Sequence, residues 1–229
     1  MKSLVTVVNP RELETVEESF PDIVDIKNPE EGSLGAPAFG TASKVMEEIP
    51  SSVETSIAVG DVPSLPGTVS LAVHGASSLD PDYIKIGLHG PETLEEARKV
   101  VQASVDASDG SNLVVAGYAD YDRIDSVPVE ELPGIAAESG ADVVMIDTAV
   151  KDGNTLTDHL QVRRIEEFVD EAHDKELLAA VSGSLSVEYV DQLRSTGADI
   201  FGVRGSVCSD GKRDTSIDLH RLETFLEKF

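Results

Sequence analysis

Basic residues are scarce in this chain of 229: 18 lysines and arginines stand against 43 acids, for a formal net charge of −25. Such a field opposes binding to nucleic acid and to anionic membranes. There is one cysteine, Cys208, which excludes an intrachain disulfide and a cysteine-built metal cluster. No stretch approaches the roughly 18 apolar residues of a membrane-spanning helix. The opening MKSLVTVVNP holds too short an apolar run for a secretory signal. The patterns GxGxxG, HxH and HExxH and the Walker loop are all missing, so no nucleotide, cofactor or metal is implied. The acids are spread along the chain rather than gathered in a tail, which reads as a solvated acidic shell. The expectation is a soluble cytoplasmic protein of a salt-adapted archaeon.

What is present is rhythm. Eight apolar runs of strand length recur, at Leu4–Val8, Ile23–Ile26, Ser56–Val59, Tyr83–Ile86, Leu113–Ala116, Val143–Ile146, Leu178–Val181 and Ile200–Val203. Stretches of helical period lie between them, clearest at Glu92–Ala107, where Leu94, Ala97, Val100, Val101 and Val105 share a face. Asp158–His173, Val187–Arg194 and Ile217–Phe229 read the same way. Alternating strands and helices imply βαβ units and a parallel sheet. Eight units of about 29 residues predict an α/β fold, a (β/α)8 TIM barrel, as one domain over residues 1–229. Barrels commonly associate, so a homo-oligomer is an expectation of the class.

An aspartate opens every even-numbered strand: Asp22, Asp82, Asp142 and Asp199, spaced by 60, 60 and 57. Two of them close the same tripeptide, Gly140-Ala141-Asp142 and Gly197-Ala198-Asp199. Counting from these aspartates puts Asp25 and Lys85 at the third position, and Lys27, Asp147 and Arg204 at the fifth. Strand side chains alternate, so both positions point one way. In a barrel that direction is inward, and function sits at the C-terminal ends of the strands. Lys27, Lys85, Asp147 and Arg204 are therefore expected to converge on one mouth.

Only nine lysines exist, yet Lys27, Lys85 and Lys151 each lie at or just beyond a strand-like run. Strand statistics and burial both disfavour lysine there. A lysine is nucleophilic only as the free amine, roughly one molecule in a few thousand at pH 7 for an unperturbed group. Burial and neighbouring cations lower its pKa, whereas Asp25 and Asp147 would oppose that shift while offering proton shuttles. An imine formed on such a lysine is an electron sink that permits aldol addition or β-elimination.

Ser182-Gly183-Ser184 follows the seventh strand, and Arg204-Gly205-Ser206 the eighth. Loops after strands seven and eight are the usual phosphate site of such barrels. Small residues let backbone N–H groups reach the anion, and a helix N-terminus would add a favourable dipole. The expected partner is thus a small phosphorylated aldehyde. The loop Asn28–Ala36 reads as a lid, an oligomer contact or a plain connector, and His89 as structural or as a proton handler.

The string Asp25-Ile26-Lys27-Asn28-Pro29-Glu30-Glu31-Gly32-Ser33-Leu34-Gly35 closely resembles the signature of the (5-formylfuran-3-yl)methyl phosphate synthases. That family is also called 4-(hydroxymethyl)-2-furancarboxaldehyde-phosphate synthase. Tyr83–Leu88, Asp147–Gly153 and Gly202–Cys208 match it in order, so the likeness runs the length of the chain. The resemblance implies a (β/α)8 lyase that joins two molecules of glyceraldehyde 3-phosphate, an early step toward methanofuran. It implies that Lys27 forms the Schiff base and Lys85 accepts a proton, with Asp25, Asp147 and Lys151 assisting. Two rival readings stay open: another phosphosugar barrel aldolase or isomerase, and a non-catalytic sensor of phosphorylated metabolites.

Overall fold

The computed structural model describes all residues, Met1 to Phe229. Eight parallel strands close into a barrel in chain order: β1 (Lys2–Val7), β2 (Ile23–Ile26), β3 (Glu54–Val62), β4 (Tyr83–Leu88), β5 (Asn112–Tyr118), β6 (Val143–Asp147), β7 (Leu178–Val181) and β8 (Ile200–Val203). Closure is made by β8 on β1, where Leu4 lies opposite Gly202 and Val5 opposite Val203. The helices are α1 (Pro10–Val16), α2 (Phe39–Glu48), α3 (Pro66–Ser77), α4 (Leu94–Val105), α5 (Leu132–Ser139), α6 (Leu156–His159), α7 (Val162–Asp174), α8 (Val190–Arg194) and α9 (Leu219–Leu226).

Alternation along each strand splits the apolar residues into two cores. Val24 and Ile26, Ile84 and Ile86, Val144 and Ile146, and Phe201 and Val203 face the helices. Ile23, Tyr83, Val143 and Ile200 belong to a separate inner cluster that fills the barrel floor. In the even strands, two layers of four lie above that floor. The first is Asp25, Lys85, Met145 and Gly202; the second is Lys27, Gly87, Asp147 and Arg204. Layers of four from alternate strands are the packing expected of a TIM barrel.

The aspartate repeat has a structural cause. Each of the four accepts the backbone N–H of a residue at the start of the preceding odd strand. Asp22 accepts from Ser3 at 2.8 Å, Asp82 from Thr55 at 2.7 Å, Asp142 from Leu113 at 2.8 Å and Asp199 from Ala179 at 2.8 Å. The first residue of each odd strand donates to the backbone carbonyl of the aspartate in the preceding even strand, and the second finds its partner in the carboxylate. The repeat therefore clips the strands together in pairs at the floor.

Some boundaries differ from the sequence reading. The helix expected at Glu92–Ala107 begins at Leu94, because Thr93 and Glu96 form a capping box there. The stretch Asp158–His173 is two helices, since Leu160 and Gln161 are extended. Val187–Arg194 opens with a 3-10 turn before α8, and α9 starts only at Leu219, capped by Asp218. Strand β3 runs on past Val59 to Val62 through an irregularity at Gly60, whose φ is +117°. Strand β5 runs on to Tyr118.

Candidate active site

At the C-terminal ends of the strands a cavity of about 1310 Å³ opens, lined by Lys27, Asp147, Lys151 and the loops after β7 and β8. Six of the chain's 18 bases line it, on a molecule of net charge −25, which marks it as the place for an anion.

The three lysines sit in three different states. Lys85 is 2% exposed and lies 2.8 Å from Asp25 Oδ1, while Thr6 Oγ1 donates to Asp25 Oδ2 at 2.8 Å. Burial pushes the Asp25 carboxyl up, but Lys85, Lys27 and Thr6 outweigh it and hold it below the ordinary 3.8. Lys151 stands at the cavity rim and donates to Asp147 Oδ1 and Thr148 Oγ1, each at 2.9 Å. Burial likewise pushes Asp147 up, and Lys151 and Lys27 bring it below 3.8. Lys27 lies between these two pairs, buried and without an ion-pair partner of its own. Burial pulls its amine from 10.5 down to about 8; Asp147 and Asp25 push against that, and Lys85 and Lys151 reinforce it. With a pKa near 8, roughly one molecule in ten carries the free amine at pH 7, against one in a few thousand for an ordinary lysine.

The loop after Lys27 is pinned on three sides. Ser33 and Leu34 donate their N–H groups to Asp61 at 2.8 and 3.3 Å, and Tyr118 donates its hydroxyl to the same carboxylate. Ser33 Oγ reaches the Thr148 carbonyl at 2.8 Å. Arg213 Nη2 donates to the carbonyls of Pro29 and Gly32 at 3.2 and 2.7 Å. Gly32 has φ +144°, and a Cβ there would collide with Asp61. Asp120, fully buried, receives the N–H groups of Ala149 and Val150 at 2.7 and 2.9 Å and so fixes the loop that carries Lys151.

The expected phosphate loops both reach the cavity: Ser182, Ser184, Gly205 and Ser206 line it. Gly183 adopts φ +105° and turns the first loop, its carbonyl accepting from Leu156 N at 2.9 Å. No long helix begins at either loop. Ser186 leads into a 3-10 turn, and thirteen residues separate Gly205 from Leu219, the start of α9. The expected helix-dipole contribution is correspondingly small.

Arg204 is a correction. Its guanidinium does not present a free charge to the mouth, because all five N–H donors are engaged. Nη1 binds Glu12 Oε2 at 2.6 Å and the Thr6 carbonyl at 3.1 Å. Nη2 binds Glu12 Oε1 and the Thr215 carbonyl, both at 2.9 Å, and Nε binds the Arg213 carbonyl at 3.1 Å. His89 lies exposed outside the cavity with its ring edge against Tyr118. Sequence reasoning missed Asp61, Tyr118, Asp120 and Arg213. The first two stand where β3 and β5 outrun their apolar runs, and a glycine-aspartate pair continuing a strand was the one local signal.

A closed eight-stranded barrel with ionisable side chains gathered at its C-terminal mouth defines a TIM-barrel enzyme. Solved structures agree on the fold. 3-Hexulose-6-phosphate synthase is similar with a TM-score of 0.65 over 100% of both chains at 14% identity. KGPDC from Streptococcus mutans gives 0.67 over 99% of this chain and 96% of that one at 10% identity. Sequence relatives are far nearer. Residues 3–226 match the 4-HFC-P synthase family. The (5-formylfuran-3-yl)methyl phosphate synthase of Methanothermobacter thermautotrophicus is 44% identical over 100% of both chains. That of Methanopyrus kandleri is 45% identical over 92% of this chain and 91% of its own. The chain belongs to the 4-HFC-P synthase family.

Proposed function

We propose that the protein condenses two molecules of glyceraldehyde 3-phosphate into 4-(hydroxymethyl)-2-furancarboxaldehyde phosphate through a Schiff base on Lys27, as a step toward a methanofuran-type cofactor. The observation that carries this reading is Lys27 itself: a buried lysine without an ion pair, its amine drawn down to about 8 between two lysine–carboxylate pairs. The free amine adds to the aldehyde carbon, and loss of water gives the imine. The imine acidifies the neighbouring C–H, so removal of that proton gives an enamine that can expel phosphate from the next carbon. The resulting carbon skeleton undergoes aldol addition with the second aldehyde; hydrolysis of the imine returns the first water and frees Lys27, and ring closure and dehydration complete the furan. Two C3H7O6P units less one phosphoric acid and two waters give C6H7O6P, so the atoms balance without an oxidant.

The pairs on either side take the proton traffic. Lys85 with Asp25 lies beneath Lys27 and serves the carbon acid; Asp147 with Lys151 lies at the rim and serves the hydroxyl and phosphate departures. The serine–glycine loops after β7 and β8 receive a phosphate through their backbone N–H groups. The test mixes the protein with glyceraldehyde 3-phosphate in high salt and follows ultraviolet absorbance and released phosphate, then adds borohydride. Furan absorbance, phosphate release and a mass increase on Lys27 are expected. An active protein whose Lys27 stays unlabelled would sink the Schiff-base role, and no change in absorbance or phosphate would defeat the synthase reading.

A further inference from the structure

The two arginines of the loop after β8 are in opposite states. Arg204 has spent every donor on Glu12 and on three backbone carbonyls. Arg213 has spent only Nη2, on the carbonyls of Pro29 and Gly32. Its Nε and Nη1 carry three N–H groups that bond nothing in the protein, and the side chain lines the cavity. It faces no carboxylate within ion-pair reach, although Asp147 and Asp61 act on its charge from further off and Arg204 repels it. A half-buried guanidinium with open donors on an anion-attracting cavity is suited to an oxyanion.

The same loop carries an unsatisfied polar group. Ser206 is among the residues lining the cavity, and its Oγ is buried without a hydrogen-bond partner. The loop folds back on itself here: a Cβ on Gly205 would meet Arg213 N at 3.5 Å and its Cα at 3.8 Å. Arg204 Nε holds the Arg213 carbonyl from behind. An oxyanion in the cavity would satisfy the open donors of the guanidinium.

We propose that Arg213 is the phosphate anchor of this cavity, and that Arg204 positions Arg213 rather than binding the anion. The ligand class is a phosphate monoester of a small aldehyde, so the inference rests on the synthase reading and adds its anion anchor. Arg213 grips the loop after Lys27 with one nitrogen while offering the anion two others. Phosphate capture and the seating of the imine lysine's loop are thereby joined through one side chain.

The test compares wild type with Arg213→Gln and Arg213→Lys, inorganic phosphate being the probe. Loss of charge-assisted hydrogen bonds to a phosphate should weaken inhibition by inorganic phosphate, and raise KM for glyceraldehyde 3-phosphate, by about tenfold or more in Arg213→Gln. Arg213→Lys should keep part of both. Borohydride trapping on Lys27 should fall less with unphosphorylated glyceraldehyde than with the phosphorylated aldehyde, since both feel the lost clasp on the loop and only the second has a group for the arginine to hold. Unaltered phosphate inhibition in a folded Arg213→Gln protein would overturn the assignment. So would an equal loss of trapping with both aldehydes, which is what a purely structural clasp gives. A wild type that binds phosphate through Arg213 yet forms no furan would fault the synthase reading and leave this arginine's role standing.

Discussion

The two ends of the barrel use acidic residues in opposite ways. At the floor, Asp22, Asp82, Asp142 and Asp199 meet backbone N–H groups that would otherwise lack partners, and every charge tightens the sheet. At the mouth, Asp25 and Asp147 meet lysines, and the lysine between them is left alone at a cost. Repeated charge at the floor serves folding, whereas at the mouth the buried ammonium of Lys27 opposes it, a cost that the proposed reaction would explain.

Lys27→Met separates these two purposes most sharply. Turnover should fall by at least about a thousandfold, because the neighbouring amines of Lys85 and Lys151 are each tied to a carboxylate. The same substitution should raise the melting temperature near pH 7. The folded-state pKa of Lys27, about 8, lies below its ordinary 10.5, so below pH 8 the fold must hold an ammonium it disfavours. The depression corresponds to something on the order of 3 kcal/mol. Its sign is a penalty present below about pH 8 and relieved as pH rises toward 10.5. A methionine variant that is both inactive and less stable than wild type would contradict this account.

Asp199→Ala is the mirror image at the floor. It orphans the N–H of Ala179, a fully buried residue, and releases His173. Stability should drop by about 1–3 kcal/mol in urea, with kcat unchanged. A smaller and purely kinetic signature comes from pH. If the free amine of Lys27 limits the reaction, kcat/KM should climb with an apparent pKa near 8, gaining about tenfold between pH 7 and 9. A flat profile over that range would place the limiting proton elsewhere. The smallest effect concerns the acidic shell: lowering the salt should reduce the melting temperature by a few degrees, as unscreened acids repel. A salt-independent melting temperature would remove the case for salt adaptation.

The barrel itself was legible because its strands are short apolar runs and its floor aspartates recur at fixed intervals. The inward register of Asp25, Lys27, Lys85 and Asp147 followed from counting along strands of period two. Asp61 and Tyr118 were not legible, since β3 and β5 continue past their apolar stretches, held by pairing with neighbouring strands that local composition cannot show. Arg204 was misjudged for a related reason. Arg204 sits beside Gly205-Ser206 and looks poised for an anion, but Glu12, 192 residues earlier, occupies it. Such a claim on a side chain is a tertiary fact, invisible from either residue's surroundings in the chain.

The floor clips also divide the molecule into modules. Each clip joins an odd strand to the even strand that follows it, so a stretch of two strands and their helices is sewn before it meets the next. Fragments 1–51 and 52–229 would keep all four clips within one piece or the other, whereas 1–79 and 80–229 would part Thr55 from Asp82. Co-expressed halves should therefore reassemble more readily when the break falls between modules than when it falls inside one, as though the barrel were laid in four prefabricated staves.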